Sequence, residues 1–153
     1  MNSYEELINE AYNENIIVIE KKFKSNAKGL CKGKKIGISS SIATIKEKRC
    51  VLAEEIGHCH KTVGNILDQT IVSNVKQELT ARKWAYERLI GIVDLINAYE
   101  SGIRDKFELI EYLEVTEEFL SEAITYYKKK YGLYYEIDNY IVYFEPFGVL
   151  KIF

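Results

Sequence analysis

Proline is almost missing from this chain: Pro146 is the only one in 153 residues, and only nine glycines accompany it. Without proline-rich or glycine-rich tracts no segment reads as a flexible linker, and no fixed-period repeat is present, which excludes repeat arrays. Cysteine is scarce as well. Three cysteines, an odd number with no Cys-x-x-Cys pair, suit reduced thiols in a cytosol better than a disulfide framework. Nowhere do about eighteen apolar residues run together, as a membrane span needs. The opening Met1-Asn2-Ser3-Tyr4-Glu5-Glu6 has neither the basic nor the apolar region of a secretory leader. The expectation is a soluble, cytoplasmic protein with no membrane partner. An excess of either charge is lacking too: 21 basic against 23 acidic residues leave a net charge of −2, with a pI near 5.8. No basic field offers itself to nucleic acid, the nearest approach being residues 21–35, and no acidic tail argues for disorder.

What is present is one domain's length of chain, enough to bury a core without staples. Residues 3–12 carry Leu7, Ile8 and Ala11 among acids, the pattern of a short amphipathic helix with Ser3 as its cap. Ile16-Ile17-Val18-Ile19 is β-branched and too short for a buried helix, so a strand is expected. Two further short strands, around Leu30-Cys31 and residues 35–38, flank a turn at Lys32-Gly33-Lys34 and predict a small antiparallel sheet. The run Gly29-Leu30-Cys31-Lys32-Gly33-Lys34 invites a phosphate-loop reading. Its glycines are one residue too close, and Lys35 replaces the Ser or Thr that would meet magnesium.

Ser40 and Ser41 are placed to cap a long helix over residues 42–61, with Gly57 in its interior. Such a glycine costs roughly 1 kcal/mol against alanine, which suggests that something packs closely there. Val63-Gly64-Asn65 breaks that helix, and Ile66-Leu67-Asp68 bridges to the next. A second long helix over residues 71–90 has Val72, Val75, Leu79, Tyr86 and Leu89 on one face, and Glu78 in line with the small Ala81 and Ala85 on another. Residues 92–99 keep the helical period, with Gly91 able to bend or continue the helix. Two shorter helices follow, residues 106–113 and 117–131. Thr116 suits the N-cap of the second, Val115 with Leu120 a staple, the lysines 128–130 its negative end, and Gly132 its C′ position. Residues 133–137 and 140–144 read as a hairpin about Asp138-Asn139, with a further turn at Pro146 and Gly148. The fold expected is α+β and mainly helical, one domain over residues 1–153. Within it, 1–102 form a core, 103–132 a helix-turn-helix-like pair and 133–153 a β tail.

Chemistry concentrates in residues 50–60, Cys50-Val51-Leu52-Ala53-Glu54-Glu55-Ile56-Gly57-His58-Cys59-His60. Leu52, Ile56 and Cys59 form one apolar stripe, and Glu54, Glu55 and His58 lie off it. Glu54 and His58 are one turn apart, about 6 Å along the axis, so their side chains can converge. This is the layout of the zinc-protease helix His-Glu-x-x-His, with Glu54 in place of the first histidine. Acids are common on any solvent-facing helix, and a bare match is weak. Glu78, twenty residues after His58 on the next helix, strengthens it. Glu54, His58 and Glu78 would supply three ligands to zinc and leave a fourth position for water, and Glu55 would be the general acid/base. Replacing a neutral imidazole by Glu54 brings the first shell to about zero net charge, which should make bound water less acidic and activity weak or conditional.

The neighbouring residues read more plainly. His60 points to nearly the opposite side from His58. Cys50 is expected to be a buried thiol, Asp68 a cap, and Trp84 and Tyr86 core. The pair 106–113 and 117–131 looks like a DNA-reading motif, but Glu117, Glu118 and Glu122 stand where a recognition helix would meet phosphates, so burial within the domain is expected instead.

Leu52-Ala53-Glu54-Glu55-Ile56-Gly57-His58, then Gln77-Glu78-Leu79-Thr80-Ala81-Arg82-Lys83-Trp84-Ala85-Tyr86-Glu87, then residues 113–120 resemble the ImmA/IrrE family of zinc metallopeptidases, particularly its short prophage and mobile-element members. The resemblance spans about residues 36–132. It implies a gluzincin-like core with a small sheet, and cleavage of a phage-type helix-turn-helix repressor, which would induce the element. By position, Glu55 would be the catalytic acid/base and His58 and Glu78 zinc ligands, while Glu54 stands where the family has histidine. Two other readings remain open: a metal-poor relative that binds the repressor without cutting it, and a DNA-binding regulator using the C-terminal helices.

Overall fold

The structure, a computed structural model, describes residues 2–61 and 71–153. The helix break expected at Val63-Gly64-Asn65, the bridge through Asp68, and the side chains of Val72 and Val75 lie outside the described residues. No helix among the described residues is long and apolar enough to cross a membrane. The chain forms two compact units, Met1–Ala85 and Tyr86–Phe153. The architecture is α+β and mainly helical, with six helices and two three-stranded sheets among the described residues.

The first unit opens with α1 (Ser3–Asn13), whose Tyr4, Leu7 and Ala11 are buried. Its cap is Asn2 rather than Ser3. The Asn2 side chain accepts from the Glu5 amide at 2.8 Å, and Glu5 returns the bond to the Asn2 amide, the reciprocal pattern that satisfies two exposed helix-start donors. Strands β1 (Ile17–Lys21), β2 (Gly29–Lys32) and β3 (Lys35–Ser39) make a sheet in the order β1-β3-β2. The β2–β3 hairpin is antiparallel as expected, turning at Gly33 with φ +62°, a conformation that favours glycine. The wholly antiparallel sheet is not what forms, because β1 pairs with β3 in parallel, Ile17 opposite Lys35 and Lys21 opposite Ser39. After β1 the chain goes out to the far edge before the hairpin returns it to the middle, so the last strand in sequence becomes central. Ile36 and Ile38 on that strand are fully buried.

Helix α2 (Ile45–Lys61) packs on β2, β3 and α1, burying Leu52, Ala53, Ile56 and Cys59. It starts three residues later than the serines suggest. The Thr44 hydroxyl accepts from the Glu47 amide at 3.2 Å and serves as the cap, while Ser39 and Ser41 share a 2.7 Å hydroxyl contact in the preceding turn. Cys59 is bonded to Cys31 of β2, which overturns the expectation of three reduced thiols. The two are 28 residues apart in sequence and meet only because β2 lies against α2. Cys50 is buried outside that bond.

Helix α3 (Ile71–Leu89) follows. Its small-residue face is buried as expected, Ala81 and Ala85 being fully covered, but Leu79, assigned to the apolar face, is exposed. A Cβ at Gly57 would stand 2.5 Å from the carbonyl oxygen of Ala81 and 3.0 Å from its Cα, so the interior glycine is the point where α3 comes down on α2.

The second unit holds α4 (Ile92–Glu100), α5 (Lys106–Leu113) and α6 (Glu117–Tyr131). Gly91 caps α4, with its amide bonded to Asp94 at 2.8 Å. Thr116 caps α6 by accepting from the Phe119 amide at 3.1 Å, and Val115 and Leu120 are both buried, as the staple requires. Strands β4 (Tyr134–Ile137), β5 (Tyr140–Phe144) and β6 (Phe147–Lys151) form an antiparallel meander. Its second turn lies at Glu145-Pro146, and Gly148 is a strand residue rather than part of a turn.

Candidate functional site

Three pairings fix how α2 and α3 meet. Gly57 touches Ala81, Nε2 of His58 lies 2.7 Å from Oε2 of Glu78, and Oε1 of Glu54 accepts from Nε of Arg82 at 3.1 Å. In these three pairings numbers that rise along α2 meet numbers that fall along α3, an antiparallel order that the His60–Trp84 ring contact stands outside. His58 and Glu54 are one turn apart on α2, and Glu78 and Arg82 one turn apart on α3, the spacing that puts side chains in line. The polar contact is therefore a ladder of two rungs, closed beneath by a glycine–alanine contact that allows the backbones near enough for short side chains to span.

Glu55 is next to this ladder but differently housed. A Cβ at Gly29 would stand 2.9 Å from Cγ of Glu55 and 2.8 Å from Cγ1 of Val51, so the start of β2 lies directly against it. That cover excludes water from much of the carboxyl. Burial first, then the charges of Glu54 and Glu78, push its pKa from an ordinary 4.5 up to about 7. A carboxyl so placed holds or gives up a proton near neutral pH, which is what general acid/base work asks of it.

His58 and Glu78 come together from different helices, although Glu78 keeps about half its side chain in water. Glu54 lies one turn before His58 and is engaged by Arg82. His60 contacts Glu14 at the end of α1 and lies edge-on to Trp84 of α3 with ring centroids 4.9 Å apart, so, instead of pointing nearly opposite His58, it too touches α3. In the second unit Tyr86 is buried, its hydroxyl donating to Glu122 at 2.9 Å. Helix α6 buries Phe119, Leu120, Ala123 and Tyr127, and its first turn carries Glu117 and Glu118. The sequence pattern alone does not bring Gly29 or Arg82 to the site. Arg82 had a signal, since it follows Glu78 by one helical turn; Gly29 had none, because its role depends on a strand from elsewhere in the chain.

The family model for the IrrE N-terminal-like domain, Peptidase M78, matches residues 12–125. The chain belongs to this family. The match begins in α1 and ends in α6, so it takes in the whole of α2 and α3 with the ladder between them. No curated protein and no solved structure matches the chain. Membership in the M78 family makes this a metallopeptidase-type domain. Tetrahedral zinc with ligand atoms about 2.0–2.1 Å away would hold two of them roughly 3.3 Å apart. His58 Nε2 and Glu78 Oε2, at 2.7 Å, need separate only slightly to accept such an ion. The third donor is the difficulty: among the described residues no group of three or more His, Cys, Asp and Glu side chains is arranged for a metal. Glu54, the candidate for that third position, is paired with Arg82 of α3.

Proposed function

We propose that this domain is a conditional zinc endopeptidase with a gluzincin-like core, whose substrate is a phage-type helix-turn-helix repressor and whose action induces a prophage or mobile element. The observation that carries the reading is the meeting of an imidazole and a carboxylate from two helices at 2.7 Å, beside a covered carboxyl held near pKa 7. His58 and Glu78, with Glu54 as third donor, are the residues to hold zinc, whose contribution when bound is to polarise the scissile carbonyl. Glu55 takes the proton of the attacking water and delivers it to the departing amine nitrogen. Its partial burial, with the start of β2 against it, brings its pKa to about 7, where it can both take and give that proton. Zinc beside it would lower its proton affinity and favour the base form for the first of these steps.

One observation favours a second reading. The Glu54–Arg82 pair satisfies the first-ligand position without any metal, which suits a relative that grips the repressor and does not cut it. The two are separated by incubating the purified chain, with zinc, with candidate phage-type helix-turn-helix repressors and weighing the products. Cleavage at one bond, reduced 10²- to 10⁴-fold in Glu55→Gln, is expected of the peptidase. Binding with no cleavage, or cleavage that Glu55→Gln leaves untouched, would end that reading.

A further inference from the structure

The two rungs of the α2–α3 ladder are not chemically alike. In the His58–Glu78 rung both atoms are metal donors, whereas in the Glu54–Arg82 rung one is a donor and the other a permanent cation that no neutral pH removes. We infer that Arg82 is the negative regulator of metal loading in this site: it competes with zinc for Glu54 and holds the centre with two donors.

This inference rests on the zinc reading given above. Arg82 lies on the same helix as Glu78 and one turn further on, so any ion held by Glu78 has the guanidinium as a near neighbour. Two effects then act against loading. The Nε–H bond to Oε1 must be exchanged for coordination, and the fixed charge of Arg82 repels a divalent cation across a few ångströms. Both partners are partly open to water, so the first effect is small, a few-fold in affinity. The second is the larger. A histidine at position 54 would remove the carboxylate that the Arg82 guanidinium meets there, so the glutamate and the arginine act as a matched set. The same pair explains why activity would be conditional: whatever draws Arg82 aside, such as an acidic segment of a bound protein, completes the donor set.

The test measures metal and needs no substrate. The full-length chain is stripped with a chelator and titrated with zinc against a chromophoric competitor, and cobalt is used to read coordination from its visible absorption. Arg82→Gln is expected to bind zinc about tenfold more tightly than the parent chain and to give a stronger, more tetrahedral cobalt band. Measured against Glu54→Gln alone, Glu54→Gln combined with Arg82→Gln should keep only the part of that gain that comes from removing the charge. Arg82→Met, which keeps the apolar stem, repeats the measurement if the glutamine variant is poorly folded by circular dichroism. Equal or weaker zinc binding in both single variants overturns the inference, as does a gain that is undiminished without Glu54. A parent chain that binds no zinc beside an Arg82→Gln chain that does supports the inference while removing the peptidase reading of the parent, so the two failures are distinct.

Discussion

Helices α5 and α6 in the second unit and helices α2 and α3 in the first handle charge in opposite ways. In the second unit hydrocarbon does the burying: Leu109, Ile110 and Leu113 from α5, and Phe119, Leu120 and Ala123 from α6, are covered, while the charged groups that join the helices, Lys106 and Glu117 at 2.9 Å, stay largely in water. In the first unit the contact is made by a glycine and an alanine, and polar groups fill the space that larger side chains would otherwise occupy. A pair of helices built only for stability has no use for a covered carboxyl near pKa 7. The lesson is that function shows here as a local refusal of ordinary packing, on a scaffold that obeys it everywhere nearby.

That contrast can be broken first at Gly57. Gly57→Ala drives a methyl into the Ala81 backbone, and urea unfolding should show a loss of about 3 kcal/mol in spite of the gain in helix propensity. Gly148→Ala, where a Cβ meets nothing within 4 Å, should stay within about 0.5 kcal/mol of the parent. Equal effects at the two sites would dissolve the distinction between the units.

The pH dependence of the metal-free chain sharpens it next. Because the folded chain binds the Glu55 proton more tightly than the unfolded chain, this group's stabilisation is fully present below pH 4.5 and is lost as pH rises through about 7. The loss should be about 2 kcal/mol after allowance for partial exposure, and absent in Glu55→Gln, when stability is followed by denaturant titration from pH 4.5 to 8. A parent profile parallel to that of the variant would show Glu55 to be ordinary. A smaller loss is expected at the caps. Thr116→Ala and Thr44→Ala should each cost about 1 kcal/mol in thermal unfolding, one in each unit, since the same hydroxyl-to-amide bond is lost in both.

Much of the second unit was legible in advance. The ranges of α5 and α6, the Thr116 cap, the Val115–Leu120 staple and the hairpin about Asp138-Asn139 all follow from signals lying within a few residues of what they specify. The first unit yielded less. Four capping candidates crowd residues 39–44, and only the geometry of the turn selects Thr44. The β-branched run Ile16-Ile17-Val18-Ile19 announces a strand but not its neighbour, so the parallel pairing of β1 with β3 could not be read. The odd cysteine count argued against pairing, yet the Cys31–Cys59 bond depends on β2 lying beside α2, not on the count.

Of the site, the sequence by itself determined that Glu54 and His58 share one edge of a helix, since a turn of 3.6 residues leaves no other outcome. It also determined that Glu78 sits among small residues on a second helix. Tertiary structure alone decided that Glu78 meets His58, that Arg82 meets Glu54, and that Gly29 roofs Glu55 and so lifts its proton affinity. The reason is one of range: helical period and caps act over a few residues, whereas charge pairing and the exclusion of water depend on which surfaces the folded chain presses together.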